Sequence, residues 1–406
     1  MTTRLSAGVD RVRTGFWAIP TLFVLGAFVL ALGMVQIDRQ LNQGLGRATF
    51  GAGADGAREV LGAITTSMIT FTGLVFSITI VVLSLTSSQF SPRVLRTFLR
   101  DRQTQVSLGV FIGTFVYAML VLRTVSGLDD DTFVPAVATT GGVVLLLVCV
   151  GVFVAYINHI TSMIQISSIL ASISGEARAV LEKEMPTDSP PTPVVVRPRS
   201  QVAVLPAPKS GVLLDLSVPK LVRLACDADV VLVSQLPYGG FVPQGAPLLE
   251  VHRGDPGRLD SKAALGAVRL GQERTMQRDV AFGFRQLVDI AAKALSPGVN
   301  DPTSAVQALD GLHDLLRRMA TRQLPTGAHA DSEGQIRLYL PQPRFADYLA
   351  LALDEPEQYG AESIQVQQRI TAILDDVCRA ALPEHRPALE ARIAAREANE
   401  LPSNPV

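Results

Sequence analysis

Ile64-Thr65-Thr66-Ser67-Met68-Ile69-Thr70-Phe71-Thr72-Gly73-Leu74-Val75-Phe76-Ser77-Ile78-Thr79-Ile80-Val81-Val82-Leu83-Ser84-Leu85 contains no Asp, Glu, Lys or Arg. An α-helix needs ~17 to 25 such residues to cross ~30 Å of hydrocarbon, so the stretch reads as a membrane span. Three more uncharged runs lie on either side of it, from about Phe16 to Gln36, Val106 to Leu122 and Phe133 to Ile157. After them the composition turns ordinary. The expected fold is therefore four transmembrane helices followed by a cytoplasmic α+β part, made of a small β-rich, barrel-sandwich-like module and a helical bundle.

The 406 residues are 48% hydrophobic and 18% charged, with mean hydropathy +0.30 and a formal charge of -1. So neutral a balance gives no global field for nucleic acid, and no nucleic-acid partner is expected. Cys149 falls inside the fourth span, while Cys226 and Cys378 lie far apart, which gives neither a disulfide framework nor metal-ligand spacing and fits a reduced cytosol. The first apolar run is too long for a cleaved signal and reads as a signal-anchor. Arg4, Arg11 and Arg13 precede it, Arg93, Arg96, Arg100 and Arg102 follow span two, and Asp129, Asp130 and Asp131 follow span three. By the positive-inside rule both termini are cytoplasmic, in a bacterial inner membrane.

Within span two, Thr66, Thr70, Gly73, Ser77, Ser84 and Ser88 recur at i, i+4, i+7, i+11, i+18 and i+22 and so share one helical face. Small residues of this kind let helices approach closely in lipid. The sharper reading is that Thr66, Thr70, Ser77 and Ser84 line a watery path in a homo-oligomer. Gly109 and Gly113 in span three, and Gly141, Gly142 and Gly151 in span four, point to tight helix packing. No ionisable group sits at membrane depth, which favours a passive path, or none, over an ion-coupled carrier.

Ser91 and Pro92 predict a helix start in the loop after span two, with Arg93, Arg96 and Arg100 on one face as candidate lipid-headgroup contacts. Snorkelling arginines that only set topology explain them equally. Helix is expected to continue past span four to about Lys183, followed by a linker containing Pro186, Pro190, Pro191 and Pro193. Short runs such as Val212-Leu213-Leu214 and Val230-Val231-Leu232-Val233, with one helix from Pro219 to Cys226, predict β structure from Gln201 to Val251. The turn Gly240 to Leu248 resembles that of a barrel-sandwich hybrid but has no carrier lysine, and no cofactor is expected. The resulting division is 1–160 transmembrane, 161–200 helical extension and linker, 201–256 β-rich module and 257–400 helical domain.

The most distinctive polar stretch is Phe282 to Pro302. Arg285 and Asp289 lie one helical turn apart, Ser296 to Asn300 breaks the helix, and Asp301 is placed to cap the next helix with Pro302 in its first turn. Arg285, Asp289, Asn300 and Asp301 form either a structural elbow or a site for a polar ligand, since carboxylate and amide oxygens suit Mg²⁺ or Ca²⁺.

Phe76-Ser77-Ile78, Gln89-Phe90-Ser91-Pro92-Arg93-Val94-Leu95, Asp289-Ile290-Ala291, Ala294-Leu295-Ser296-Pro297 and Asn300-Asp301-Pro302 follow one another in order along the chain. In these stretches the chain resembles the domain-of-unknown-function 2254 family of predicted bacterial integral membrane proteins. Ser304-Ala305 stands where a Thr-Ala pair is expected. The resemblance implies an inner-membrane protein and supplies no substrate or catalytic residue. The five histidines have no paired spacing, and no phosphate-binding loop, nucleophile elbow or Cys–His motif is present, so no enzyme is expected. Two functions remain. One is a channel-like permeation protein contacting membrane lipid, with a cytoplasmic assembly or gating domain. The other is a membrane-tethered scaffold or regulator whose cytoplasmic domain binds a protein partner.

Overall fold

Apolar periodicity and chain length produce two separately packed units, divided between Gln165 and Ile166. The computed structural model describes residues 17–42, 53–89, 101–125, 133–163, 165–187 and 201–400. Arg93, Arg96, Arg100 and the prolines from Pro190 to Pro193 lie outside them, as does the side chain of Ser88.

The first unit contains α1 (Ala18–Asn42), α2 (Gly53–Gln89), α3 (Arg102–Thr124) and α4 (Ala136–Met163). All four are long and apolar enough to cross a membrane. Helix α3 packs against the other three and is the most buried of them. Its glycines explain how. A Cβ on Gly109 would stand 2.9 Å from the Phe23 ring of α1, and one on Gly113 would stand 3.3 Å from the Phe23 carbonyl oxygen. Gly141 of α4 likewise admits Tyr117, and Gly142 packs against Leu61 and Ile64 of α2, whereas Gly151 faces open space. The small residues of spans three and four therefore pack helices, as expected, at every one of these positions except Gly151. Phe71, Phe111 and Phe153 fill the centre, with ring centroids 4.9 to 6.5 Å apart.

The second unit begins with α5 (Ile166–Glu184) and continues through β1 (Gln201–Pro206), β2 (Gly211–Leu216), α6 (Val218–Ala228), β3 (Val231–Ser234), β4 (Phe241–Val242) and β5 (Pro247–His252). Then come α7 (Ser261–Leu265), β6 (Val268–Gly271), α8 (Val280–Ala294), α9 (Pro302–Ala320), β7 (Ala328–Ala330) and β8 (Ile336–Tyr339). The last three helices are α10 (Phe345–Tyr359), α11 (Ile364–Ala380) and α12 (Arg386–Glu400). The strands form a five-stranded sheet in the order β1-β5-β3-β8-β7 and a three-stranded sheet in the order β4-β2-β6. Strand β8 pairs parallel with β3, so the larger sheet draws on residues well beyond 256. Its alternate side chains Leu232, Leu249, Val251 and Leu338 enter a core shared with Leu221 and Ala225 of α6.

Helices α5, α8 and α9 meet at small residues. A Cβ on Gly283 would lie 2.5 Å from that of Ala177, and one on Gly311 would lie 2.6 Å from the Ser174 hydroxyl. Helix α5 is interrupted from α4 around Gln165 rather than continuous with it.

Candidate functional site

Helix α2 buries Leu61, Ile64, Met68, Val75 and Val82 against its own bundle. The opposite face carries Thr66, Thr70, Gly73, Ser77 and Ser84, all of them exposed. The candidate path-lining residues therefore share one face, and that face points out of the four-helix unit. Thr70 donates to the Thr66 carbonyl at 3.0 Å, the usual local bond of a hydroxyl in an apolar helix. By contrast Thr79 turns inward, where its hydroxyl lies 2.9 Å from that of Tyr156. A second outer feature is an apolar groove of about 420 Å³ lined by Phe23, Gly26, Ala27, Gly113, Leu145 and Val148.

Two polar locks hold the unit, and sequence reasoning found neither. Asp38 is 5% exposed, and its carboxylate accepts from the backbone N–H of Val137 at 2.9 Å and of Ala138 at 2.8 Å. These are first-turn amides of α4 with no partner inside the helix, and the positive helix end favours the anion. Tyr117 donates to the Ala138 carbonyl at 2.8 Å and closes the same corner. Near the start of α3, Asp101 accepts from the Thr104 amide at 2.8 Å while His159 Nε2 of α4 lies 3.0 Å from the same carboxylate. An acidic residue just past an apolar run was the available signal at Asp38, but its partner stands 99 residues away.

In the second unit the distinctive stretch folds as a helical elbow. Asp279 caps α8 through Phe282, and its carboxylate is held by Arg274 at 2.9 and 3.0 Å beneath Gly239. Gly239 has φ +80°, and a Cβ there would fall 2.0 Å from the Asp279 carboxylate. Arg285 donates to Asp289 at 2.6 Å and through both terminal nitrogens to Glu355 of α10. These bonds hold the Glu355 carboxyl below its ordinary range and the Arg285 guanidinium firmly charged. Asn300 adopts φ +48°, a left-handed turn that asparagine tolerates. The next residue, Asp301, accepts from the Ser304 amide and hydroxyl, which lowers its pKa.

Each residue of the elbow thus has a structural employment: Asp289 braces Arg285, Asn300 makes the turn and Asp301 caps α9. Among the described residues no group of three or more His, Cys, Asp and Glu is arranged to hold a metal ion. Glu355 escaped sequence reasoning because it lies 70 residues from its partner. The same holds for His313, whose Nδ1 accepts from Arg369 at 2.8 Å and whose Nε2 meets Asp376 at 2.9 Å, fixing α9 to α11. That pattern assigns the ring proton to Nε2.

Comparison with known proteins adds family and no chemistry. A family model described as a predicted membrane protein, domain of unknown function 2254, matches residues 13–376. An uncharacterized protein of Mycobacterium bovis is 33% identical over 411 aligned residues, covering 97% of this chain and 78% of that protein. An uncharacterized protein of Mycobacterium tuberculosis matches to the same extent. No solved structure matches.

Proposed function

This chain belongs to the domain-of-unknown-function 2254 family of predicted membrane proteins, and from that premise we propose that it forms an oligomeric, channel-like path for passive permeation through a bacterial inner membrane. Both termini are then cytoplasmic, and the second unit assembles or gates the path. Its small sheets, with the barrel-sandwich-like turn from Gly240 to Leu248, act as an adaptor. No cofactor, catalytic step or nucleic acid enters this reading.

The observation that carries it is the outward face of α2. Small and hydroxylated residues used to pack helices within one copy belong in the interior, as Gly109, Gly113 and Gly142 are here. Thr66, Thr70, Ser77 and Ser84 instead lie on the outer face, opposite the buried one. Copies arranged around an axis would give that stripe water on one side and other copies on the other. Purified protein in liposomes is expected to pass small ions or solutes, and Ser77→Leu to abolish the flux. Repeated absence of flux from well-incorporated parent protein overturns the proposal.

The scaffold reading has one observation in its favour. Strand β1 is an edge strand with Val202 and Val204 exposed, a surface on which a partner strand can pair. Specific capture of a protein partner that survives Ser77→Leu, from protein that never conducts, would give that reading precedence.

A further inference from the structure

One end of the helical bundle in the second unit carries exposed large apolar side chains where solvent should favour polar residues. Among the described residues Val299 is 47% exposed, Tyr359 56% and Ile364 74%. They come from three separate places in the chain, and helix directions bring them to the same end. Helices α8 and α9 are joined by the short elbow, so Val299 sits where α8 stops and α9 starts. Helix α9 runs parallel to α11, since Asp310 meets Arg369 and Arg317 meets Asp376, both pairs 59 residues apart. The start of α11, Ile364, is therefore near the start of α9. Helix α10 runs with α8, because Tyr348 packs its ring at a tilt against Phe284 while Glu355, two turns later, reaches the Arg285 side chain that leans on Asp289. Its last residue, Tyr359, closes at the elbow end as well.

Helix α5 supplies the argument for what covers this end. It too runs parallel to α9, with Arg178 on Asp314, Glu182 beside Arg318 and the Met185 carbonyl accepting from Arg322 at a constant separation of 136 or 137 residues. Pro302 at the elbow is thus level with Ile166, the first residue of α5. The last apolar membrane helix ends at Met163, and only two residues separate it from Ile166. The bundle end that carries Val299, Tyr359 and Ile364 is thus the end at which α5 begins, directly after the last apolar helix in the sequence.

We propose that Val299, Tyr359 and Ile364 form a bilayer-docking surface that rests in the headgroup region. The two-residue separation holds this end at high effective concentration against the bilayer. Aliphatic side chains gain by leaving water there, and tyrosine is suited to the interface because its ring is apolar and its hydroxyl polar. The charges near this end, Lys293 on α8 against Asp301 and Glu362, make no basic patch, so docking rests on apolar contact and needs neither anionic lipid nor low salt. The proposal is independent of permeation, since a scaffold would dock in the same way.

The test uses the full chain in phosphatidylcholine vesicles, with and without phosphatidylglycerol, and Cys149→Ala, Cys226→Ser and Cys378→Ala as background. Single cysteines replace Val299, Tyr359 or Ile364 and carry an environment-sensitive fluorophore. Phe241→Cys is the control: Phe241 is 62% exposed, but two residues away Gly239 lies against Asp279 at the opposite end of α8. Docking about 5 to 10 Å into the interface shifts emission to the blue and brings quenching by headgroup-region nitroxide lipid, in both lipids and at high salt, while the control stays water-like. Water-like, unquenched emission at all three positions overturns the proposal. A blue shift that nitroxide lipid does not quench also overturns it, because the surface would then be covered by protein, whether a second copy or another part of this chain. Three independent positions keep the result readable if one labelled variant fails to fold.

Discussion

The two units solve one problem, joining helices, with opposite materials. In the membrane unit Thr65, Thr72, Thr79 and Thr139 bond the carbonyl four residues back, and helices meet through glycine and aromatic surfaces. In the second unit Arg178, Arg285, Arg318, Arg369, Arg392 and Arg396 tie helix to helix through carboxylates or amides. The difference follows from the surroundings. Lipid cannot solvate an unpaired charge, so polar groups there close local bonds, whereas water at the edge of the second unit lowers the cost of holding charges in register. Asp38 fits the contrast, because the α4 amides that it meets at the end of a span would otherwise have no partner.

The largest expected break in this comparison is at the glycines. Gly283→Ala drives a methyl against the Ala177 methyl on a helix fixed from both sides and should cost about 1 to 3 kcal/mol. Gly109→Ala meets Phe23, whose ring is 37% exposed and can turn toward lipid, so its cost should stay below about 1 kcal/mol, partly offset by the better helix propensity of alanine. Thermal unfolding of both variants in the same detergent measures the difference. Equal losses would mean that the membrane seam is as rigid as the other.

Asp38→Ala comes next. It strips two buried amides of their acceptor and should cost about 1 to 2 kcal/mol. If lipid supplies no substitute, the loss appears in bilayers as well as in detergent. No change in melting temperature in either medium would show the carboxylate to be dispensable.

The smallest effect is acid sensitivity of the second unit. Glu355, Asp301 and Asp376 are held below their ordinary pKa by Arg285, by Ser304 and by His313 respectively. Their unfolded forms therefore bind protons first as pH falls. Their contribution is complete above the ordinary carboxylate range and is lost as pH drops through the lower folded values. Asp279, pushed upward by burial, partly offsets them. Near-UV circular dichroism between pH 7 and pH 3 should show the second unit loosening, with a flatter profile in Glu355→Gln, and an unchanged profile in that variant would remove Glu355 from the account.

Legibility in the sequence tracked distance along the chain. Asp301 capping α9 through Ser304 spans three residues, and the Arg285–Asp289 pair spans one turn, so both were readable. Helix α6 and the strands around it were readable too, from their apolar runs and their Gly and Pro punctuation. Glu355, Asp376 and the α4 amides that Asp38 accepts from were not, because no local pattern selects one acidic or backbone partner among many. The insertion of β8 beside β3 is of the same kind, a pairing across about a hundred residues that short strands alone do not announce.

What the sequence determined by itself was the four spans and the switch to α+β structure, since the absence of charge over a helix-length run is decided residue by residue against lipid. It also placed the hydroxyls of α2 on one face, because helical periodicity is local. Only the tertiary structure decided that this face points away from its own bundle and that Val299, Tyr359 and Ile364 share an end. Both depend on which surfaces other helices cover, and coverage is a property of contacts between distant parts of the chain.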